Sequence, residues 1–92
     1  MLEFFLGKIM EFTVYILFSA LKNKFYIGFT ADIVSRLIRH NQKSKGFTGS
    51  VNDWELLYTE KYESKIEAQN REIQIKSWKS SMKIKALIDN KD

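Results

Sequence analysis

The sequence predicts an α+β fold in which a small three-stranded antiparallel sheet is flanked by helices, with the element order β-β-α-β-α-α. Two β-prone runs near the N-terminus are separated by a short polar connection, which predicts a hairpin. Ser or Asp stands directly before three later segments with apolar residues at helical spacing, and these residue types are typical helix N-caps. A sheet of so few strands needs helices to cover its apolar surface, which gives the layered arrangement.

Three segments are predicted to form the strands. The first contains a nearly continuous β-prone run, and the second follows after a connection short enough for antiparallel pairing. In the third segment, Trp54, Leu56 and Tyr58 alternate and are expected to point toward one side of the sheet. The predicted strands are Glu11–Phe18, Phe25–Phe29 and Trp54–Tyr62.

Three helices are predicted from their caps and apolar faces. Asp32 is the expected N-cap of a helix that runs to about Lys43, with Ile33, Val34, Leu37 and Ile38 as its apolar face. Ser64 and Glu67 have the spacing of a capping box, and the helix they begin runs to about Trp78. Ser80 or Ser81 caps a last helix that directs Ile84, Leu87 and Ile88 to the core.

The length of 92 residues corresponds to one domain. We expect residues 1–10 to be an N-terminal extension and residues 11–92 to form the domain. The apolar start lacks the basic residues and the cleavage site of a signal peptide, and no segment approaches the roughly 20 apolar residues of a membrane span. The absence of cysteine excludes disulfides and thiolate metal sites and fits a reducing, cytoplasmic location.

The formal net charge of +4 favours a polyanionic partner such as nucleic acid. Charge alone is a weak indicator, because many proteins without such a partner are equally basic. The chemistry therefore has to be sought in individual residues.

Two tyrosines lie on the two strands of the predicted hairpin. A turn near residues 20–22 places Tyr15 and Tyr26 opposite each other to within a residue or two, so that both phenols can flank one site. The alternative interpretation is that they are ordinary half-buried packing residues of the strands.

Two further candidates lie on helices. Arg36 and His40 are four residues apart and share a helix face. The alternative is an arginine that extends toward solvent beside a surface histidine. Glu72 has no capping role and lies in line with Ala68 and Ile75, so its carboxylate needs a cationic partner. The alternative is an ordinary solvated glutamate or a pair with Lys76.

Together these residues suit the hydrolysis of a phosphodiester. A carboxylate can hold one divalent cation that polarises the phosphate, and an arginine can neutralise charge that develops on it. A phenol or an imidazole can deprotonate or orient the attacking water. A single oxygen ligand suits Mg²⁺ or Mn²⁺, because these ions retain most of their water ligands.

The same residues carry a family resemblance. The chain resembles the GIY-YIG nuclease superfamily, in particular its small stand-alone bacterial proteins and, more distantly, the N-terminal nuclease domain of excinuclease. Thr13 and Val14 replace the Gly-Ile of the first motif, and Phe29 stands where some relatives have a lysine. The matching segments are Thr13-Val14-Tyr15, Tyr26-Ile27-Gly28, Arg36-Leu37, His40-Asn41, Glu67-Ala68, Arg71-Glu72 and Ile75-Lys76.

The resemblance implies a role for each matched position. Tyr15 and Tyr26 would be the paired active-site tyrosines, with Tyr26 or His40 as the base. Arg36 would contact the scissile phosphate, and Glu72 would be the only protein ligand of Mg²⁺ or Mn²⁺. Gly28 would allow the backbone to approach the site closely.

The resulting expectation is a metal-dependent endonuclease that acts on DNA, including branched or damaged DNA, in repair or recombination. A separate targeting protein is an expected partner, and a membrane is not. Alternatives are a nucleic-acid-binding module with little or no catalysis and a purely structural domain. Cations beside aromatic residues suit contact with the DNA backbone and base stacking. The expected contacts are Lys22, Lys24, Lys43, Lys45 and Phe47, with Trp54 beside the same loop.

Overall fold

The computed structural model of the protein describes residues 10–42 and 50–90. The predicted α+β class and the order β-β-α-β-α-α are both confirmed. In chain order, the elements are β1 (Phe12–Ser19), β2 (Lys24–Thr30), α1 (Ile33–His40), β3 (Glu55–Tyr62), α2 (Lys65–Ser77) and α3 (Ser81–Asp89).

The sheet has the strand order β2-β1-β3, and both pairs of neighbours are antiparallel. The central strand β1 is buried along almost its whole length. In the hairpin, Tyr15 pairs with Gly28 and Leu17 pairs with Tyr26. The two tyrosines are therefore diagonal neighbours on one face of the sheet, as the predicted register requires.

The two faces of the sheet carry two separate apolar clusters. One cluster joins Val14, Ile16, Ile27 and Tyr58 of the sheet to Ala68, Ile75 and Ile84 of α2 and α3. The other joins Tyr15 and Leu17 to Trp54, with Ile33 and Leu37 of α1 packed against them. Because residues alternate between faces along a strand, helix α1 covers one face of the sheet and helices α2 and α3 cover the other.

The prediction that Trp54, Leu56 and Tyr58 share one side of the sheet was wrong. Tyr58 pairs with Ile16, but Leu56 pairs with the next β1 residue, Leu17, so that β3 contains one extra residue at this point. Such a bulge reverses the alternation of side chains beyond it. Trp54 consequently packs with the α1 cluster, whereas Tyr58 packs with the cluster under α2 and α3.

Helix α1 ends at His40, earlier than the predicted end near Lys43. Asn41 caps the helix, and its side-chain amide forms two hydrogen bonds to the backbone of Trp54, with distances of 2.8 Å and 3.1 Å. The amide thereby fixes the helix end against the third strand. Val34 and Ile38, predicted for the apolar face of this helix, are largely exposed, because only Ile33 and Leu37 reach the sheet.

The predicted N-caps are present at all three helices. Asp32, Ser64 and Ser80 accept hydrogen bonds from the backbone N–H groups of Ser35, Glu67 and Lys83 respectively. Only half of the predicted capping box forms, since the described residues show no return hydrogen bond from Ser64 N–H to the Glu67 carboxylate. The core-facing role of Ile84, Leu87 and Ile88 in α3 is confirmed.

Most of the predicted N-terminal extension lies outside the described residues. Within residues 10–42 and 50–90, none of the helices is both long enough and apolar enough to cross a membrane.

Candidate active site

A polar cleft of about 440 Å³ opens where β2 ends and the chain turns toward α1. Strands β1 and β2, helix α1 and the start and middle of helix α2 all contribute to its wall. The lining residues are Phe12, Tyr15, Tyr26, Gly28, Phe29, Thr30, Ala31, Arg36, Lys65 and Glu72. Four of the five residues predicted to be catalytic therefore line one cleft, although they are separated by up to 57 positions in the chain.

The fifth predicted residue, His40, lies directly behind this wall. It is a buried polar residue, and its Nε2 atom is 2.8 Å from the Tyr15 hydroxyl oxygen. The alternative of a surface histidine is therefore excluded. Tyr15 is itself almost fully buried, so it serves both as a packing residue of the sheet and as a polar group at the cleft.

Tyr26 completes an aromatic triad with Tyr15 and His40. The ring centroids of Tyr15 and Tyr26 are 6.3 Å apart, and those of Tyr26 and His40 are 4.6 Å apart. Tyr26 is only half-buried and contributes to the cleft wall. Of the two phenols, Tyr26 is thus the more accessible to a water molecule in the cleft.

The surroundings of Tyr15 and His40 favour the uncharged form of both. Burial raises the pKa of the Tyr15 hydroxyl strongly, neighbouring Tyr26 raises it further, and the charge of Arg36 opposes the change only in part. Burial also lowers the pKa of His40, and the charges of Arg36 and Arg39 act in the same direction. Near neutral pH, the pair is therefore a phenol hydrogen-bonded to a neutral imidazole.

Gly28 leaves the space that the Tyr15 ring occupies. A Cβ atom at position 28 would lie 2.6 Å from the Tyr15 hydroxyl oxygen and 2.8 Å from the adjacent ring carbon. Any side chain there would displace the phenol from the cleft or force the two strands apart. The group that approaches the backbone of Gly28 closely is thus the phenol of Tyr15.

Glu72 lies in the cleft wall with its side chain 15% exposed. Its carboxylate also forms an ion pair of 3.0 Å with Lys76, one helical turn farther along α2. Both interpretations of this glutamate, as a cleft residue and as the partner of Lys76, therefore describe part of its environment. About half of the Lys76 side chain is exposed, so its ammonium can return to solvent, whereas the largely buried Glu72 carboxylate would then need another cation.

The cleft suits a divalent cation with one protein ligand better than an ion enclosed by protein. Within residues 10–42 and 50–90, no group of three or more histidines, cysteines or carboxylates is placed to hold a metal ion. Glu72 offers one carboxylate, and the cleft is wide enough for water and for phosphate oxygens around it. Mg²⁺ and Mn²⁺ accept this donor set, because they bind through one or two carboxylates and retain water.

Lys65 is a cleft residue that the sequence reasoning missed. It is the first residue of α2 and lines the cleft together with Arg36, so that two cationic side chains face one carboxylate there. The sequence spacing could have indicated this position. Lys65 and Glu72 are seven residues apart, and two turns of a helix bring such residues to the same side.

Of the residues predicted to contact DNA, those that the structure describes do not line the cleft. Lys22 lies in the hairpin turn and Lys24 begins β2, at the opposite end of the strand from the cleft. Lys24 instead lines a separate depression with Asn23 and with Lys85 of α3. Trp54 is buried in the core and does not offer a face for base stacking. Lys43, Lys45 and Phe47 lie outside the described residues.

The fold and the cleft define a small nuclease-type domain, with paired phenols, a guanidinium and a carboxylate at one end of a three-stranded sheet. The sequence matches the GIY-YIG catalytic domain over residues 11–85. The chain therefore belongs to the GIY-YIG family, whose domains are typically nucleases that use divalent metal ions.

Proteins of three staphylococcal species are similar to the chain. A UPF0213 protein of Staphylococcus epidermidis is 36% identical over 63 residues, which cover 67% of this chain and 77% of that protein. A UPF0213 protein of Staphylococcus haemolyticus is 33% identical over 66 residues, covering 71% and 80% respectively. A UPF0213 protein of Staphylococcus saprophyticus is 33% identical over 63 residues, covering 67% and 77%. No solved structure is a significant match.

We predict that Gly28→Ala destabilises the fold by about 1–3 kcal/mol, because the new methyl group overlaps the Tyr15 phenol in a packed interior. The free energy of unfolding in urea measures this loss. Tyr15→Phe provides the matched background, since it removes the hydroxyl that the methyl group approaches most closely. The penalty of Gly28→Ala should be smaller in that background, and an equal penalty in both would show that the hydroxyl does not contribute to the overlap.

Proposed function

We propose that the protein is a metal-dependent endonuclease that hydrolyses DNA phosphodiester bonds, with branched or damaged DNA as its substrate in repair or recombination. The observation that carries the proposal is the convergence of Tyr15, Tyr26, Arg36 and Glu72 on one open cleft. Membership of the GIY-YIG family supports the reaction class.

The charges in the cleft suit a phosphodiester. Arg36 and Lys65 lie in its wall, and Glu72 is the one acidic side chain among its lining residues. A guanidinium can donate two parallel hydrogen bonds to a phosphate and stabilise the additional charge of the transition state. We assign the scissile phosphate to Arg36 and an adjacent phosphate to Lys65, which contributes as a point charge.

Glu72 is the residue that would hold Mg²⁺ or Mn²⁺. Such an ion, when bound, supplies Lewis-acid polarisation of the phosphate and stabilises the leaving oxygen. Lys76 pairs with one oxygen of the Glu72 carboxylate, Oε2, and would compete with the ion for that atom. Because about half of the Lys76 side chain is exposed, its ammonium can return to solvent when the ion takes its place.

The attacking water is assigned to the aromatic triad. Tyr26, the more accessible phenol, orients the water, and the Tyr15–His40 pair accepts its proton. As the water oxygen bonds to phosphorus and the ester oxygen leaves, a water proton passes to the Tyr15 oxygen while the Tyr15 hydroxyl proton passes to His40 Nε2. Solvent protonates the leaving oxygen and later accepts the proton from His40. His40 is therefore the base, acting through Tyr15.

The lowered pKa of His40 fits this role, because it is neutral and able to accept a proton near neutral pH. Tyr15 is a poor base by itself, since burial raises its pKa and disfavours the phenolate. A relay through Tyr15 avoids a free phenolate, because the phenol gains one proton as it loses another.

The second candidate function is a nucleic-acid-binding module with weak or no catalysis. The ion pair between Glu72 and Lys76 favours it, because it already neutralises the carboxylate that a metal ion would need. In that case, Arg36 and Lys65 would still bind a phosphate backbone.

We expect Mg²⁺ or Mn²⁺ to support cleavage of at least one member of a panel of labelled linear, nicked, branched, damaged and single-stranded DNAs. Glu72→Gln should abolish this cleavage, because the neutral amide keeps the shape of the side chain but binds the ion poorly. The cleavage rate, and the affinity for Mn²⁺ with a non-cleavable DNA bound, are the measurements.

Glu67→Gln is the matched control, since Glu67 lies on the same helix, is exposed and does not line the cleft. Equal Mn²⁺ affinity in the wild type and in Glu72→Gln would contradict the metal assignment. Salt-sensitive DNA binding without cleavage of any substrate would favour the binding module.

Because Arg36 and Lys65 are assigned to different phosphates, their substitution should affect the kinetics of cleavage differently. Arg36→Ala should leave the fold intact and reduce kcat by about 100-fold or more, because the lost contact strengthens in the transition state. Lys65→Met should mainly raise KM and should lower the slope of log affinity against log salt by about 1, as expected for one lost phosphate contact.

The control for Lys65 is Lys83→Met, because Lys83 is an exposed lysine on α3 and does not line the cleft. A fully active Arg36→Ala variant would remove the arginine from the mechanism. A salt slope that Lys65→Met leaves unchanged would remove the lysine from the DNA interface.

A base at His40 also predicts a defined pH dependence. The imidazole must be neutral to accept a proton, so kcat should fall as the pH decreases, with a midpoint below the ordinary histidine value of about 6.5. His40→Gln should lower kcat by about 100-fold or more and remove this decrease at acid pH. Tyr15→Phe should have a similar effect, and the double variant should be no slower than the singles, because both residues act in one relay.

The pH profile of kcat in the four proteins tests the relay. An unchanged acid limb in His40→Gln would rule out His40 as the base and leave Tyr26 as the candidate.

A further inference from the structure

We infer that Arg71 and Glu60 are positioning residues that set the rotation of helix α2 on the sheet and thereby direct Glu72 into the cleft. The inference rests on the proposed function insofar as it gives Glu72 a role in catalysis. The placement of the helix itself depends on contacts between Arg71 and Glu60 that lie outside the cleft.

Arg71 joins α2 to strand β3 through a two-point contact. Its Nε and Nη2 atoms each lie 2.9 Å from a different oxygen of the Glu60 carboxylate. A bidentate pair of this kind fixes direction as well as distance, because both planar groups must be aligned. A third nitrogen donates to Gln74 at 2.9 Å, and the guanidinium lies 5.7 Å from the centre of the Trp78 ring.

The Glu60 carboxylate also accepts hydrogen bonds from two tyrosines of its own strand, β3. Tyr62 donates a hydrogen bond to Glu60 at 2.6 Å, and Tyr58 donates another to the second oxygen. Burial would raise the pKa of Glu60, but the hydrogen bonds from Arg71 and the two tyrosines outweigh it and lower the pKa to about 2. The carboxylate therefore remains charged throughout the pH range in which a nuclease would be assayed.

The geometry of a helix links this contact to the cleft. At about 100° per residue, Arg71 and Glu72 project to opposite sides of the line through Ala68 and Ile75, the two fully buried residues of α2. Arg71 reaches β3, one edge strand of the sheet, whereas Glu72 lines the cleft beside Tyr26 and Gly28 of β2, the other edge strand. A rotation that breaks the pair on one side therefore moves Glu72 on the other.

The apolar contacts of α2 leave this rotation weakly specified. Only Ala68 and Ile75 are fully buried on the helix, and one of these side chains is a single methyl group. Side-chain ends lie about 5–6 Å from a helix axis, so a rotation of about 10° displaces them by about 1 Å. A displacement of that size at a reacting centre can cost about 100-fold in rate.

The test compares Arg71→Lys and Glu60→Gln with the wild type at a temperature at which all three are folded. Lysine keeps the charge but cannot form the bidentate contact. Residual dipolar couplings and nuclear Overhauser effects between α2 and β2 report the orientation of the helix. We expect the orientation of α2 to shift in both variants, kcat to fall by about 10- to 100-fold and KM for DNA to change by less than about 3-fold.

Lys61→Met is the matched control, because Lys61 lies next to Glu60 on β3 and pairs with Glu11, which precedes β1, and not with a residue of α2. It should change neither the helix orientation nor kcat. If Glu60→Gln fails to fold, Tyr62→Phe takes its place, since it removes one hydrogen bond to the carboxylate and leaves the ion pair formed. The orientation of α2 should shift in Tyr62→Phe in the same direction as in Arg71→Lys, but by less.

An α2 orientation that is unchanged in folded Arg71→Lys overturns the inference, whether or not the protein cleaves DNA. A shifted helix with unchanged kcat overturns the link to catalysis. If the wild type cleaves no substrate, the proposed function fails, and the couplings still decide whether Arg71 and Glu60 orient the helix.

Discussion

The packing of the Tyr15 ring over Gly28 is the contact on which the rest of the cleft depends. Antiparallel pairing places the two residues opposite each other, and the missing side chain at position 28 lets the phenol extend across β2 toward the edge of the sheet. The hydroxyl then lies where a side chain from either face can reach it. A larger residue at position 28 would turn the same phenol into an ordinary core group.

Because the sheet is narrow, helices on its two faces can both bring side chains to the same cleft. Helix α1 packs on one face and brings Arg36 and His40, while α2 packs on the other face and brings Lys65 and Glu72. Because β2 is an edge strand, residues from both faces can meet around its side without passing through the sheet. In a wider sheet, a further strand beside β2 would separate the imidazole from the carboxylate.

Local patterns predict the elements and part of the arrangement of the candidate site. The element order, the N-caps and the diagonal placement of Tyr15 and Tyr26 depend on alternation, spacing and turn length, which are properties of short segments. The family motifs allow the prediction to include residues that are far apart in the chain. Local patterns and family motifs together point to the four of five predicted catalytic residues that line one cleft.

The features that escaped prediction depend on contacts between distant segments. The bulge that separates Trp54 from Tyr58 has no signature in the third strand alone, since it arises where β3 must pair with β1. The early end of α1 requires the amide of Asn41 to meet the backbone of Trp54. Likewise, the Glu60–Arg71 pair joins a strand to a helix, and nothing in either segment indicates the other partner.

The balance of charge in the cleft bears on the order in which ligands bind. One carboxylate faces the cleft together with Arg36 and Lys65, and Lys76 already neutralises that carboxylate from outside. A divalent cation alone would meet a site with few ligands and an unfavourable net charge, so its affinity should be low. A phosphate bound at Arg36 changes this situation, because it neutralises the cation beside it and supplies further oxygen ligands. Under the proposed function, the divalent ion should therefore bind to Glu72 mainly when a phosphodiester is in place.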